Sequence, residues 1–191
     1  MTNESAIIIL AAGQGKRMRS DLPKPLVPVA GRPIIDHLID AVRAAGVSTV
    51  SVVVGHQAER MRDHLDDTVL TPLQAVRNGT AHAVDVAKDT VLGADEVFVF
   101  VGDSPLISSA SILELQRVHR ATGAACSFLT ADFTQHFPYA RVIRDGDGAV
   151  SAVIEERDCT RKQAQLTEYL TSHFLFDAQA LWSVLDRVES H

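Results

Sequence analysis

Residues 7–29 read IIILAAGQGKRMRSDLPKPLVPV, and the reading of this stretch decides the fold. Residues 7–10 form a β-branched, apolar run of strand length, which predicts a buried parallel strand ending near Ala11. The run breaks into Ala11-Ala12-Gly13-Gln14-Gly15, where Gly13 and Gly15 are expected to turn the backbone at positive φ and admit a ligand to the main chain. Successive N–H groups in such a turn make an anion-binding concavity, and Arg17 and Lys24 can add charge to it. Strand, glycine turn and two cations together predict a triphosphate site.

The loop is not the dinucleotide fingerprint G-x-G-x-x-G, because Met18 stands at the third glycine position. It is not a Walker A loop either, since G-x-x-x-x-G-K-[ST] is missing from it. The chain has 191 residues, 46% hydrophobic and 22% charged, enough for one α/β domain with a sizeable core. A net charge of −6 argues against nucleic acid or an anionic membrane as partner. Against that acidic background, Lys16 to Arg32 holds five basic residues and one acidic, so the positive field is concentrated near the glycine loop. Cys126 and Cys159 fit neither a disulfide framework nor a zinc pattern, and Cys126 reads as a small core residue. With neither a membrane-length apolar run nor a leader-like N-terminus, the expected compartment is the cytoplasm.

Beyond the loop, strand and helix patterns alternate. Residues 33–45 place apolar side chains at 34, 35, 38, 39 and 42, one helical face, with Gly46 past the end. Strands are predicted at 47–54, 68–73 and 97–101, and helices at 57–65, 80–91 and 110–120, the last capped by Ser109. Later segments at 124–131, 141–143, 149–154 and 169–176 read as strands, with a turn at 145–148 and a final helix at 178–188. The expected architecture is Rossmann-like: a doubly wound, mostly parallel sheet with a mixed second half.

Two more stretches carry chemistry. Gly102-Asp103 follows the VFVFV strand, and ligands in open α/β sheets collect at the carboxyl ends of strands. One carboxylate near a triphosphate is what Mg²⁺ needs, although Asp103 could also serve an Asx-turn or cap. Gln74 offers an acceptor and two donors, enough to read a base edge. Gly79 permits close approach and Thr80 is positioned to cap the next helix. By itself this stretch reads equally well as a loop and helix cap.

L-A-A-G-x-G-x-R-M followed by P-K-P-L resembles the signature of the sugar-nucleotide pyrophosphorylases, which join an NTP to a sugar 1-phosphate. With D-L-P-K at 21–24, G-H at 55–56, L-Q-A at 73–75, G-T-x-H-A at 79–83 and G-D-x-P-L-I-S at 102–108, the chain is most similar to one subfamily. That subfamily is the uridylyltransferase domain of the bifunctional N-acetylglucosamine-1-phosphate uridyltransferases/glucosamine-1-phosphate acetyltransferases. The resemblance continues through Tyr139-Ala140-Arg141-Val142-Ile143 and Val153-Ile154-Glu155-Glu156. It implies a sheet of the nucleotide-diphospho-sugar transferase type and the formation of a UDP-sugar, N-acetylglucosamine first, from UTP and a sugar 1-phosphate. By the same resemblance, Leu10, Ala11, Ala12 and Gly13 would hold the nucleotide, and Gln74, Gly79 and Thr80 the uracil. Arg17 and Lys24 would neutralise the triphosphate, Asp103 would bind Mg²⁺, and Ala140, Glu155 and Leu170 occupy the sugar-side positions.

Departures from the subfamily concentrate on that sugar side. Ala140 stands for a glycine, and Leu170-Thr171-Ser172 for an Asn-Thr-Gly run whose Asn reads the N-acetyl sugar. Val101 replaces a tyrosine two residues before the metal aspartate. In the subfamily the domain continues past the final helix to an Asn that completes the Mg²⁺ site, and an acetyltransferase β-helix follows. Residues 1–191 are therefore expected to be one C-terminally incomplete nucleotidyltransferase domain without that second activity. A different hexose 1-phosphate, or a catalytically weakened nucleotide-sugar-binding module, remains an alternative. A homo-oligomer is compatible with the sequence.

Overall fold

The computed structural model describes residues 4–15, 20–76, 78–185 and 187–188. By contacts the chain divides into two compact units, residues 1–127 with 174–191, and residues 128–173.

The first unit is built on β1 (Ser5–Leu10), whose Ile7, Ile8 and Ile9 are fully buried. Burying each of these side chains stabilises the fold by roughly 2 kcal/mol, so β1 is central for energetic reasons. It pairs in parallel with β4 (Thr49–Val53) on one side and β6 (Glu96–Val101) on the other. β5 (Val69–Leu70) extends the sheet beyond β4 in parallel. Beyond β6 the sheet continues into β10 (Glu168–Asp177), whose residues from Phe174 belong to this unit.

Side chains alternate across the sheet. Ala6, Ile8, Val97 and Val99 pack into one cluster with α3 (Gly79–Val86) and α5 (Ala178–Leu185). That leaves Ile7, Ile9, Phe98 and Phe100 for the opposite face. There α1 (Ile34–Ala44), buried through Ile34, Ile35, Leu38, Ile39 and Val42, packs with α4 (Ser109–Thr122). The remaining elements of the unit are α2 (Ala58–His64) and a short ribbon of β2 (Pro28–Val29) and β3 (Arg32–Pro33). Among the described residues, no helix is long and apolar enough to cross a membrane.

In the second unit, β8 (Arg141–Arg144) and β9 (Val150–Ile154) form an antiparallel hairpin. Its turn is held by Asp145, whose Oδ1 accepts from the N–H groups of Asp147 and Ala149. β10 pairs antiparallel with β8 through Tyr169 opposite Arg141, and β7 (Cys126–Asp132) pairs with β10. This hairpin lies close to the surface: Val150 and Val153 are both exposed.

The fold is the expected mostly parallel α/β sheet, with local corrections. Gly13 does not adopt positive φ; Gly15 does, at +56°. The cap of α4 is Ser108, whose hydroxyl accepts from the N–H of Ser111, one residue earlier than expected. Thr80 lies inside α3 and does not cap it, because the helix begins at Gly79 with Asn78 at the cap position. Cys126 is exposed and so is not a core residue.

Candidate active site

The carboxyl ends of β1, β4 and β6 converge on the loop at 10–15. Ala11 N–H donates to Val53 at 3.0 Å, Gly102 N–H to the Leu10 carbonyl at 2.9 Å, and His56 N–H to the Ala12 carbonyl at 3.2 Å. The loop is thus laced to both neighbouring strands by its own backbone. One consequence is a narrower ligand face than the sequence suggests, since the N–H of Ala11 is taken by Val53. The N–H groups of Ala12 and Gly13 meet no backbone acceptor among the described residues and can turn toward an anion.

Close packing explains two glycines of the motifs. A Cβ on Gly55 would lie 2.7 Å from Ala12 Cβ and 2.9 Å from the Ala12 carbonyl oxygen, inside any real contact. A Cβ on Gly15 would meet Lys24 Cβ at 3.0 Å, so the loop rests on the stem of Lys24 and its positive φ adds a second demand for glycine. The sequence carried the signal for Gly55 as the end of a strand, but not for its partner.

Lys24 opens a 3-10 turn, Lys24–Leu26, immediately after the buried Pro23. The turn is anchored by Leu26 N–H to the Pro23 carbonyl at 2.8 Å. From there the Lys24 ammonium reaches Asp103 past the end of β6 and forms a hydrogen-bonded ion pair with its carboxylate, across 79 positions of sequence. Their side chains keep 37% and 34% of their exposure, so the pair is open to an incoming ligand. The D-L-P-K segment is also held from outside: Arg60 of α2 donates to the Asp21 carbonyl at 2.6 Å and to Gln57 Oε1 at 2.9 Å. Sequence reasoning did not single out Arg60, which stands on a charged helix with no motif around it.

Gln74 sits at the same edge, its N–H donating to the Val54 carbonyl at 2.8 Å. Its side chain is buried and donates to the Gly79 carbonyl at 3.0 Å, with His82 Nδ1 at 3.1 Å. Leu10, Ala11, Ala12, Gly13, Lys24, Gln74, Gly79, Thr80 and Asp103 therefore all belong to the first unit. Arg17, with Lys16, Met18 and Arg19, lies outside the described residues.

Residues 7–176 of the chain match the family model of the MobA-like NTP transferase domain. The chain belongs to that family. Among curated relatives of this nucleotidyltransferase domain, bifunctional protein GlmU of Pelotomaculum thermopropionicum is 40% identical over 94% of the chain and 40% of the relative's length. Bifunctional protein GlmU of Clostridium tetani is 37% identical over 96% and 41%. The chain thus spans about two fifths of the curated relatives it matches. In fold it superposes on a Bacillus anthracis protein assigned as a glucose-1-phosphate thymidylyltransferase and solved with sucrose. The TM-score is 0.80 at 18% identity, covering 97% of this chain and 76% of that one.

The donor set suits a hard cation. Among the described residues no three His, Cys, Asp or Glu side chains gather into a metal cage, and Asp103 offers oxygen alone. Mg²⁺ fits such a position, because it accepts one or two protein carboxylates and completes its shell with phosphate and water.

The sugar-side positions lie in the second unit. Leu170 N–H donates to the Ala140 carbonyl at 3.0 Å, which joins two of them through the backbone, while Glu155 is exposed. The neighbouring Glu156 turns inward instead, with Oε1 2.6 Å from His136 Nε2 and Oε2 buried without a partner among the described residues. Sequence reasoning also passed over the fully buried Arg141. It donates to the carbonyls of Leu166 at 3.1 Å, Ala164 at 3.4 Å and Tyr139, and its guanidinium lies 4.1 Å from the Tyr169 ring centre. An arginine inside a predicted strand was the available signal.

Proposed function

We propose that the chain is a Mg²⁺-dependent uridylyltransferase that forms a UDP-sugar and pyrophosphate from UTP and a sugar 1-phosphate. The observation that carries this reading is the meeting of Lys24 and Asp103 beside the loop whose Ala12 and Gly13 N–H groups meet no backbone acceptor among the described residues. A cation and a metal-binding carboxylate at one strand-end crevice suit the transfer of a phosphoryl group and do not require a covalent nucleophile.

In the reaction, an oxygen of the sugar 1-phosphate attacks the α-phosphorus of UTP in line. The bond from that phosphorus to the α,β-bridging oxygen breaks, and pyrophosphate leaves with the electron pair. The phosphate monoester is already ionised, so no general base is needed, and the eight histidines are free of that role. Lys24 is assigned to neutralising charge on the α- and β-phosphates, and the Asp103 carboxylate would hold the metal. Mg²⁺ supplies charge neutralisation on the phosphates when bound. Arg17 is assigned to the leaving pyrophosphate and Gln74, Gly79 and Thr80 to the uracil, with Leu10 to Gly13 along the nucleotide backbone. Ala140, Glu155 and Leu170 are assigned to the sugar, for which N-acetylglucosamine 1-phosphate is the first candidate.

A second reading, a different hexose 1-phosphate, is favoured by Leu170, whose side chain cannot hydrogen-bond to an N-acetyl group. The test is pyrophosphate release from UTP and Mg²⁺ across a panel of sugar 1-phosphates, with an Asp103→Ala protein beside it. Release with one sugar, abolished by Asp103→Ala, is the expected result. UTP binding without release for any sugar would instead identify a binding module.

A further inference from the structure

The Gln74 side chain has only one orientation that its surroundings allow. A carbonyl oxygen can only accept, so the atom facing the Gly79 carbonyl at 3.0 Å is the amide nitrogen. The second N–H of that nitrogen faces His82 Nδ1 at 3.1 Å, which must then be an unprotonated acceptor. His82 is accordingly the neutral ring with its proton on Nε2. Both amide hydrogens are used, and Oε1, which accepts from no described residue, is the polar atom left to meet a ligand.

From this geometry we infer that His82 is a positioning residue for nucleotide selectivity: by accepting from Gln74 it holds the Gln74 amide with its oxygen toward the base. The inference rests on the proposed base-binding role of Gln74. A lone acceptor there pairs with the N3–H of uracil or thymine. It opposes cytosine, whose N3 carries a lone pair. To serve cytosine the amide would have to turn over, and Oε1 would then face both the Gly79 carbonyl and the His82 lone pair. The Gly79 clash is built into the backbone; the His82 clash can be removed by substitution. A site committed to one hydrogen-bonding pattern rejects the mismatched partner strongly, because the buried polar group is left unpaired.

The experiment compares UTP with CTP by calorimetry and by kcat/KM in wild type, His82→Leu and His82→Asn. Wild type should prefer UTP by about a hundredfold, and His82→Leu should reduce that ratio by about tenfold while changing UTP binding less. His82→Asn, whose Oδ1 replaces Nδ1 as acceptor, should keep the ratio within about threefold of wild type. An unchanged ratio in His82→Leu, or equal loss in both variants, would overturn the role of His82 and leave the uridylyltransferase reading standing. A wild type that prefers ATP or GTP would instead overturn the base assignment on which the inference rests. Nitrogen-15 NMR of the wild-type histidines reads the tautomer without any substitution, and a proton found on His82 Nδ1 would also overturn the inference.

Discussion

The two units differ in how they hold their candidate residues. In the first, residues far apart in sequence are brought to one edge by largely buried parallel strands, and are fixed by backbone bonds between strand ends and by the Lys24–Asp103 ion pair. Leu10, Val53 and Val101 end in register on β1, β4 and β6, so the loop, Gly55 and Asp103 emerge side by side. In the second, β8 and β9 form a partly exposed hairpin, held at its turn by Asp145 and at its base by the buried Arg141, which works through carbonyls and an aromatic ring. A sheet buried on both faces constrains its loops by register; a surface hairpin tolerates substitution. Of the chain's departures from the family pattern, Ala140 and Leu170 to Ser172 fall in the second unit and Val101 in the first. Ser172 makes the point in detail: it adopts φ +60°, the left-handed region that favours glycine, at the position where the subfamily has glycine.

The sharpest break between the units would come from catalysis. Asp103→Ala should lower kcat/KM by about a thousandfold, roughly 4 kcal/mol of transition-state stabilisation, in steady-state pyrophosphate assays. The fold should survive, because the pair it breaks is partly exposed. Arg141→Ala tests the opposite dependence. Loss of its donors and its packing on Tyr169 should cost about 3 kcal/mol in urea unfolding, with UTP binding far less affected than folding. If UTP binding falls in proportion to folding, the units are not energetically separable.

Gly55→Ala probes the first unit without touching a charge. Its Cβ must displace Ala12, so UTP affinity measured by calorimetry should fall by about tenfold or more while the sugar-side residues are untouched. Acid should also act on this unit. Burial pushes the Glu96 carboxyl up, but hydrogen bonds from Arg120, Ser5 and Gln116 outweigh it and hold it below its ordinary value. Asp66 is lowered to about 2, chiefly by Arg43 and then by Thr68. A depressed folded pKa contributes stability that is present above the unfolded value and lost as pH falls through the folded one. Stability should therefore decline from about pH 4.5 toward pH 2, and Glu96→Gln should flatten part of that decline in a pH series of urea melts. The smallest expected effect is at Ser172. Ser172→Gly relieves left-handed strain and should stabilise the protein by about 0.5 kcal/mol, a gain limited by the freer unfolded chain.

Much of this architecture is legible in the amino-acid sequence alone. The 7–10 run, the glycine turn and the alternation of strand and helix determine the sheet, because hydrophobic period and glycine placement are local properties. Lys24 and Asp103 can be named as candidate ligands from their motifs, and the structure places them in contact. The expected cap of α4 and start of α3 miss by a residue each, because Ser108 and Ser109, or Asn78 and Thr80, are equally good caps on sequence alone. Cys126 fails for a related reason, since its apolar neighbours say nothing of which side of β7 it occupies.

Only the tertiary structure decided the partners. That Lys24 meets Asp103, that Gly55 yields its space to Ala12 and that Arg60 holds Asp21 all depend on strand ends and a helix separated by dozens of residues. The orientation of the Gln74 amide depends on a carbonyl and a histidine that no periodicity relates to it. Local sequence sets which backbone conformations are cheap. Side-chain contacts across the chain are set by packing, a property of the whole unit, and the chemistry proposed for this protein rests on those contacts.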